Sequence, residues 1–259
     1  MNKTELNKIY TVYNKRCYVH PDPLECLYNY DEIRDREIAA LVASSLAYGR
    51  VAQILKSVSH VLNAMGESPY SFILNETYSS LADLFKGFRH RFASGEHLAA
   101  LLIGMQSVIR RFGSLNECFT SGMVEGKKSI VPGMSFFVRN LTSHQYTCGH
   151  LLADPAKGSA CKRMNLFLRW MVRKDRVDPG GWRGIDKSSL VIPLDTHMHL
   201  IGRCLGFSSR NQANMKTALE ITEGFKAFTP KDPLKYDFAL TRFGIRNDLD
   251  MASLFARKR

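Results

Sequence analysis

The 259-residue chain carries 36 Lys and Arg against 24 Asp and Glu, a formal net charge of +12, with 45% hydrophobic and 23% charged residues. This composition excludes a disordered or low-complexity chain and suits one large domain or two small lobes with a basic surface. No apolar stretch reaches the roughly 18 residues needed to cross a bilayer, and Met1-Asn2-Lys3-Thr4-Glu5-Leu6 opens no signal peptide, so the expected compartment is the cytoplasm, with no membrane partner.

In chain order, residues 35–48 place Ile38, Leu41, Val42, Ser45 and Leu46 at a helical period, and Gly49 follows as a C-terminal stop. The pattern recurs with Ile54, Leu55, Val58, Val61, Leu62 and Met65 before Gly66, then with Leu98, Leu101, Leu102, Met105, Val108, Ile109 and Phe112 before Gly113. Further helices are predicted over residues 160–174, 196–205 before Gly206, 211–228, and 233–243 before Gly244. Residues 189–194 form the best extended run, too short to build a sheet, and residues 173–188, with Asp178-Pro179-Gly180-Gly181, read as a long surface loop. The fold class is therefore all-α.

Cys17, Cys26, Cys118, Cys148, Cys161 and Cys204 stand singly, with no CxxC pair, which argues for free thiols and against structural zinc or an iron–sulfur cluster. The basic excess attracts phosphates and points to nucleic acid, although a solvated basic face explains the same charge.

Two stretches carry candidate chemistry. In Ile192-Pro193-Leu194-Asp195-Thr196-His197-Met198-His199, Asp195 stands between an extended entry and a helix, the N-cap position, where backbone N–H groups and the helix dipole keep a carboxylate ionised. A plain N-cap is the alternative. In Gly158-Ser159-Ala160-Cys161-Lys162-Arg163-Met164-Asn165, Lys162 falls in the first turn of an otherwise apolar helix, where the dipole and burial both disfavour the ammonium and favour a nucleophilic amine. A lysine reaching solvent or phosphate is the alternative.

Lys162 with Asn165 three residues on, then Leu194-Asp195-Thr196-His197 opening a helix, resembles the helix-hairpin-helix DNA glycosylase superfamily, and His197-Met198 is similar to the version found in 8-oxoguanine glycosylases. Ser44-Ser45 followed by Arg50, and Gly87-Phe88-Arg89-His90-Arg91-Phe92, are similar to two further motifs of that group. The resemblance implies a single functional unit over residues 1–259, built of two packed helical lobes with the active site between them. It implies base-excision repair of an oxidised purine, 8-oxoguanine foremost, with AP-lyase activity through a lysine Schiff base. Lys162 and Asp195 would be catalytic, and His197, Lys157, Gly158, Arg163 and Arg89 would contact nucleic acid. The partner would be double-stranded DNA holding a damaged base, bound by a monomer at the nucleoid, with no cofactor and no metal.

The chain departs from the superfamily at Asp154-Pro155-Ala156-Lys157-Gly158-Ser159, which offers one glycine where the hairpin normally has two. The longer interval between Lys162 and Asp195 is nearest to that of the archaeal 8-oxoguanine glycosylases, and the pattern as a whole also resembles a bacterial branch of the superfamily. Charge fits the reading, since residues 155–183 hold Lys157, Lys162, Arg163, Arg169, Arg173, Lys174, Arg176 and Arg183 against Asp175 and Asp178. Two other readings stay open: a non-catalytic DNA- or RNA-binding protein of the same fold, and a metal-dependent hydrolase using the HxH of His197 and His199. Phe225, Phe228, Tyr236, Phe238 and Phe243 either stack on a flipped base or pack in the core.

Overall fold

A computed structural model, which describes residues 1–126 and 129–255, is all-α apart from one short hairpin. In chain order the helices are α1 (Lys3–Tyr13), α2 (Ile33–Ser45), α3 (Val51–Met65), α4 (Pro69–Asn75), α5 (Tyr78–Leu84), α6 (Gly95–Phe112), α7 (Leu115–Ser121), α8 (Val131–Leu141), α9 (Lys162–Val172), α10 (Thr196–Cys204), α11 (Met215–Lys226), α12 (Asp237–Ile245) and α13 (Met251–Phe255). Strands β1 (Arg89–His90) and β2 (Ala93–Ser94) pair antiparallel between α5 and α6. Among the described residues no single helix is long and apolar enough to cross a membrane.

The strongest apolar periods became the central helices. α6 is buried at Leu98, Leu101, Leu102, Met105, Val108 and Ile109 and packs on α4, α5, α7 and α8. α2 is buried continuously from Glu37 to Ser45 and lies against α9, α3 and α4, while α12 packs on α1, α10 and α13. α3 and α6 end as predicted, at Gly66 and Gly113 with positive φ. Six helices have no counterpart in the apolar pattern. Three of them, α4, α5 and α7, have seven residues each, shorter than the window over which a 3.6-residue period declares itself. α1 has Leu6 as its one fully buried residue, and its legible signal was the capping box of Asn2 and Glu5.

Residues 173–188 do not form the surface loop that the Pro-Gly-Gly sequence suggested. The segment folds back along α9, with Gly180 N donating to Trp170 O at 3.0 Å and Trp182 N to Met171 O at 2.9 Å. The Trp182 indole then donates to Glu37 Oε2 at 2.8 Å, and Glu37 also accepts from Leu115 N and Asn116 N at 2.9 and 3.2 Å. Burial pushes the Glu37 carboxyl up to about 7 against the pull of those three donors. One carboxyl thus ties α2, α7 and this segment together.

The same segment corrects the reading of charge. Arg169 and Arg173 are not surface cations, being 3% and 2% exposed. Arg169 donates to Asp178 Oδ1 at 3.1 Å and to Asp237 Oδ2 at 2.5 Å, while Arg173 pairs with Asp178, Asp175 and Asp232. Burial opposes both guanidinium charges, but the carboxylates outweigh it and hold both arginines above their ordinary pKa. Removing one member leaves an uncompensated buried charge, so Asp178→Ala is expected to lower the unfolding free energy by about 3–5 kcal/mol. A urea melt showing a midpoint close to that of the unmodified chain would contradict this.

Candidate active site

α2 stops at Ser45, earlier than the apolar period suggested, because the chain turns at Leu46 and swings through Gly49 (φ 96°) into α3. Ala47 and Tyr48 are therefore released from the helix, and they face the start of α9. Cys161 precedes that helix in the left-handed region (φ 47°, ψ 39°), where a residue with a side chain is strained. Asn165 braces the turn by donating Nδ2 to Ala160 O at 2.9 Å, so its role here is structural. Lys162, half-buried, points Nζ at Ala47 O, 3.5 Å away. The thiol next to it is no competitor as a nucleophile, because burial pushes Cys161 up to about 11. All six cysteines are free.

Asp195 caps α10 as the sequence predicted, Oδ1 accepting from Met198 N at 2.7 Å. Its second oxygen has no hydrogen-bond partner among the described residues. Lys162 and Asp195, 33 positions apart in the chain, line one cavity of about 470 Å³. Its walls are Ala47, Tyr48 and Gly49, the 193–197 segment, Lys162, Leu166 and Arg169 of α9, and Asp237, Thr241, Arg242 and Ile245 of α12. A second cavity of about 180 Å³, bounded by Ser44, Ser45, Ser159 and Cys161, also reaches Lys162. The lysine is common to both.

The floor of the larger cavity was not foreseen. Asp22 and Arg242 pair at 2.7 Å, and Arg242 and Arg169 lie 4.3 and 5.8 Å from the centre of the Phe238 ring. Asp237 Oδ1, Arg169 Nη2 and Arg242 Nε are buried without a hydrogen-bond partner. Such groups are costly in a finished core and suit a site that a polar ligand completes. Burial pushes the Asp237 carboxyl up to about 6; Arg169 pulls it down, and the charges of Asp195 and Asp178 raise it further. Two signals could have exposed this floor. Arg169 falls seven residues after Lys162, on the same helix face, and Asp237 and Arg242 interrupt an apolar helix, where charges are rarely buried unless paired.

His197 lines the cavity half-buried, and its ring explains why Gly244 does not end a helix. Gly244 lies inside α12, and a Cβ there would sit 2.2 Å from His197 Nδ1. His199 instead donates Nε2–H to Arg210 O at 2.9 Å. Among the described residues no group of three or more His, Cys, Asp or Glu side chains is placed to hold a metal ion, so the HxH finds no third ligand.

The remaining nucleic-acid candidates divide. Arg89 is exposed on β1 and Lys157 on the turn before α9. Gly158 adopts φ 76°, and its N–H donates to Pro155 O at 3.1 Å, as does Lys157 N to Asp154 O. These two amides are engaged within a 3-10 turn that Met215 and Asn214 brace from outside. Arg163 is turned inward, donating to Ser45 O at 2.7 Å and to His150 O, with its guanidinium 5.0 Å from the Tyr48 ring centre. Its charge holds α9 to the end of α2. Phe225, Tyr236, Phe238 and Phe243 are core residues and Phe228 packs against that core, which decides their role in favour of packing.

The model of one family, described as Protein of unknown function (DUF2400), matches residues 22–246. The match begins at Asp22 of the cavity floor and runs past Ile245, taking in every cavity-lining residue except Pro21. No curated protein and no solved structure matches the chain.

Proposed function

We propose that this chain, which belongs to the DUF2400 family, is a DNA glycosylase with AP-lyase activity. It would excise an oxidised purine, 8-oxoguanine foremost, from double-stranded DNA at the nucleoid, acting as a monomer of two helical lobes. The observation that carries this reading is the convergence of Lys162 and Asp195 on one cavity with an unsatisfied polar floor.

The damaged nucleotide leaves the stack to expose C1′. The Lys162 lone pair bonds to C1′ as the glycosidic bond breaks, and the base departs with that electron pair and takes up a proton. The Asp195 carboxylate stabilises the positive charge that develops on sugar and amine. Sugar ring opening gives a protonated Schiff base, and loss of a C2′ proton then expels the 3′ phosphate. Turned toward the cavity, the now-buried donors and acceptor of Arg169, Arg242 and Asp237 would offer hydrogen bonds to a base bearing both carbonyl and N–H groups.

The test is a panel of duplexes, each bearing one damaged base, scored for strand cleavage with and without alkali. Cleavage confined to oxidised-purine duplexes is expected. Binding without cleavage of any of them would favour a passive binder.

Affinity should also fall steeply with salt, through the exposed Arg89, Lys157, Lys174, Arg176 and Arg183. Lys157→Glu should weaken binding to all sequences alike and reduce the log–log salt slope by about 1. A flat salt response would remove the nucleic-acid argument. Arg163→Glu is not an equivalent probe, because it breaks the contact between α9 and α2.

A further inference from the structure

The hairpin between α5 and α6 ends in an exposed aromatic ring. Phe92 is 70% exposed, the most exposed large hydrophobic among the described residues. A single exposed hydrophobic needs no explanation by itself. Here three observations make it specific.

The first is that the tip is held rigidly. Arg91 adopts φ 55°, a strained conformation for a residue with a side chain. Behind it the fully buried His90 ring donates Nε2–H to Tyr48 O at 3.1 Å and takes the Ser57 hydroxyl on Nδ1 at 2.9 Å, while Tyr48 Oη donates to His90 O at 2.7 Å. The second is that Tyr48 lines the cavity holding Lys162 and Asp195, so the hairpin has a fixed offset from that cavity. Arg91 reinforces the link, since a Cβ on Gly49 at the cavity wall would meet its Cδ at 3.0 Å. The third is charge. The exposed ring stands between exposed Arg89 and Arg91 in the hairpin, with the Arg91 guanidinium 5.5 Å from its centre, and it meets the His150 ring only edge-on, at 5.8 Å.

We propose that Phe92 enters the base stack of duplex DNA at the step from which the damaged nucleotide is extruded, with Arg89 and Arg91 on the flanking phosphates. This rests on the glycosylase reading of the adjoining cavity. A lone ring among guanidinium groups suits a polyanion with stacked bases better than the contiguous apolar patch a protein partner would need. Extruding a nucleotide leaves a gap and unstacks its neighbours, and an aromatic ring that fills the gap offsets part of that cost. Phe88, by contrast, is buried against Phe85 and His60 and is not available for this.

The test uses the full chain carrying Phe92→Ala, Phe92→Tyr or Phe92→Trp. On saturation with an abasic duplex, the emission of the introduced indole should be quenched by base stacking; Trp170 and Trp182 are buried and give a steady background. Single-turnover excision of a paired lesion should fall roughly tenfold to a hundredfold in Phe92→Ala and be largely restored in Phe92→Tyr. Borohydride trapping at a preformed abasic site, where no base has to be extruded, should fall much less. An unquenched indole in the saturated complex, or excision by Phe92→Ala at the unmodified rate, overturns the proposal. Quenching needs binding alone, so a chain that binds and quenches but traps no adduct overturns the glycosylase reading and not the stacking one.

Discussion

Lys162→Gln is expected to abolish the covalent complex that borohydride traps between this protein and an abasic or lesion-bearing duplex, while duplex affinity is retained. The trapped species is a reduced Schiff base, and its formation requires a primary amine at the sugar C1′. Lys162 is the one lysine among the lining residues of the larger cavity. Lys157, the nearest alternative in sequence, is exposed on the turn and lines neither cavity that reaches Lys162. Glutamine retains an N–H donor for the Ala47 carbonyl and much of the aliphatic stem, so the start of α9 should keep its geometry. Binding should persist because the exposed cations proposed to contact phosphate are untouched. An adduct surviving in Lys162→Gln would move the nucleophile elsewhere, and dependence of cleavage on added metal would revive the HxH reading.

The helices that form the frame of the cavity were legible because their apolar residues recur at a helical period over ten or more positions. Lys162 and Asp195 were legible for a related reason, since each sits at a helix start that local sequence announces: the Asp N-cap at α10, and a charged residue opening an apolar run at α9. The cavity floor was hidden because it depends on pairing across distance. Asp22 meets Arg242, and Arg169 meets Asp237, through packing that no local pattern encodes. The basic stretch was over-read for the same reason. Arg169 and Arg173 were counted with the basic excess, whereas Asp175 and Asp178 pair with them locally and Asp232 and Asp237 reach them from the far end of the chain. Gly244 was misread as a stop because glycine usually ends a helix; here it makes room for the His197 ring.

Asp195→Asn should lower single-turnover excision by about two to three orders of magnitude with almost no change in melting temperature. Asparagine caps a helix about as well as aspartate, so the bond from Met198 N to the side-chain oxygen survives. What is lost is the negative charge beside the cavity, and two small stability effects of opposite sign follow. Favourable interaction with the α10 dipole, about 0.3–1 kcal/mol for an exposed cap, disappears. Against that, burial and then the charges of Asp195 and Asp178 hold the Asp237 carboxyl up at about 6, so removing Asp195's charge relieves a repulsion inside the cavity. The sign is fixed: a carboxyl raised above its unfolded value costs stability as pH rises from the unfolded pKa toward the folded one, and lowering the folded pKa reduces that cost. Asp237 should therefore titrate below 6 in Asp195→Asn, a shift that side-chain carboxyl NMR or infrared difference spectra can follow. Loss of excision with a large fall in melting temperature and an unmoved Asp237 would make Asp195 a structural cap. Loss of excision with the fold intact and Asp237 shifted downward is what a preorganised charge at the reacting sugar requires.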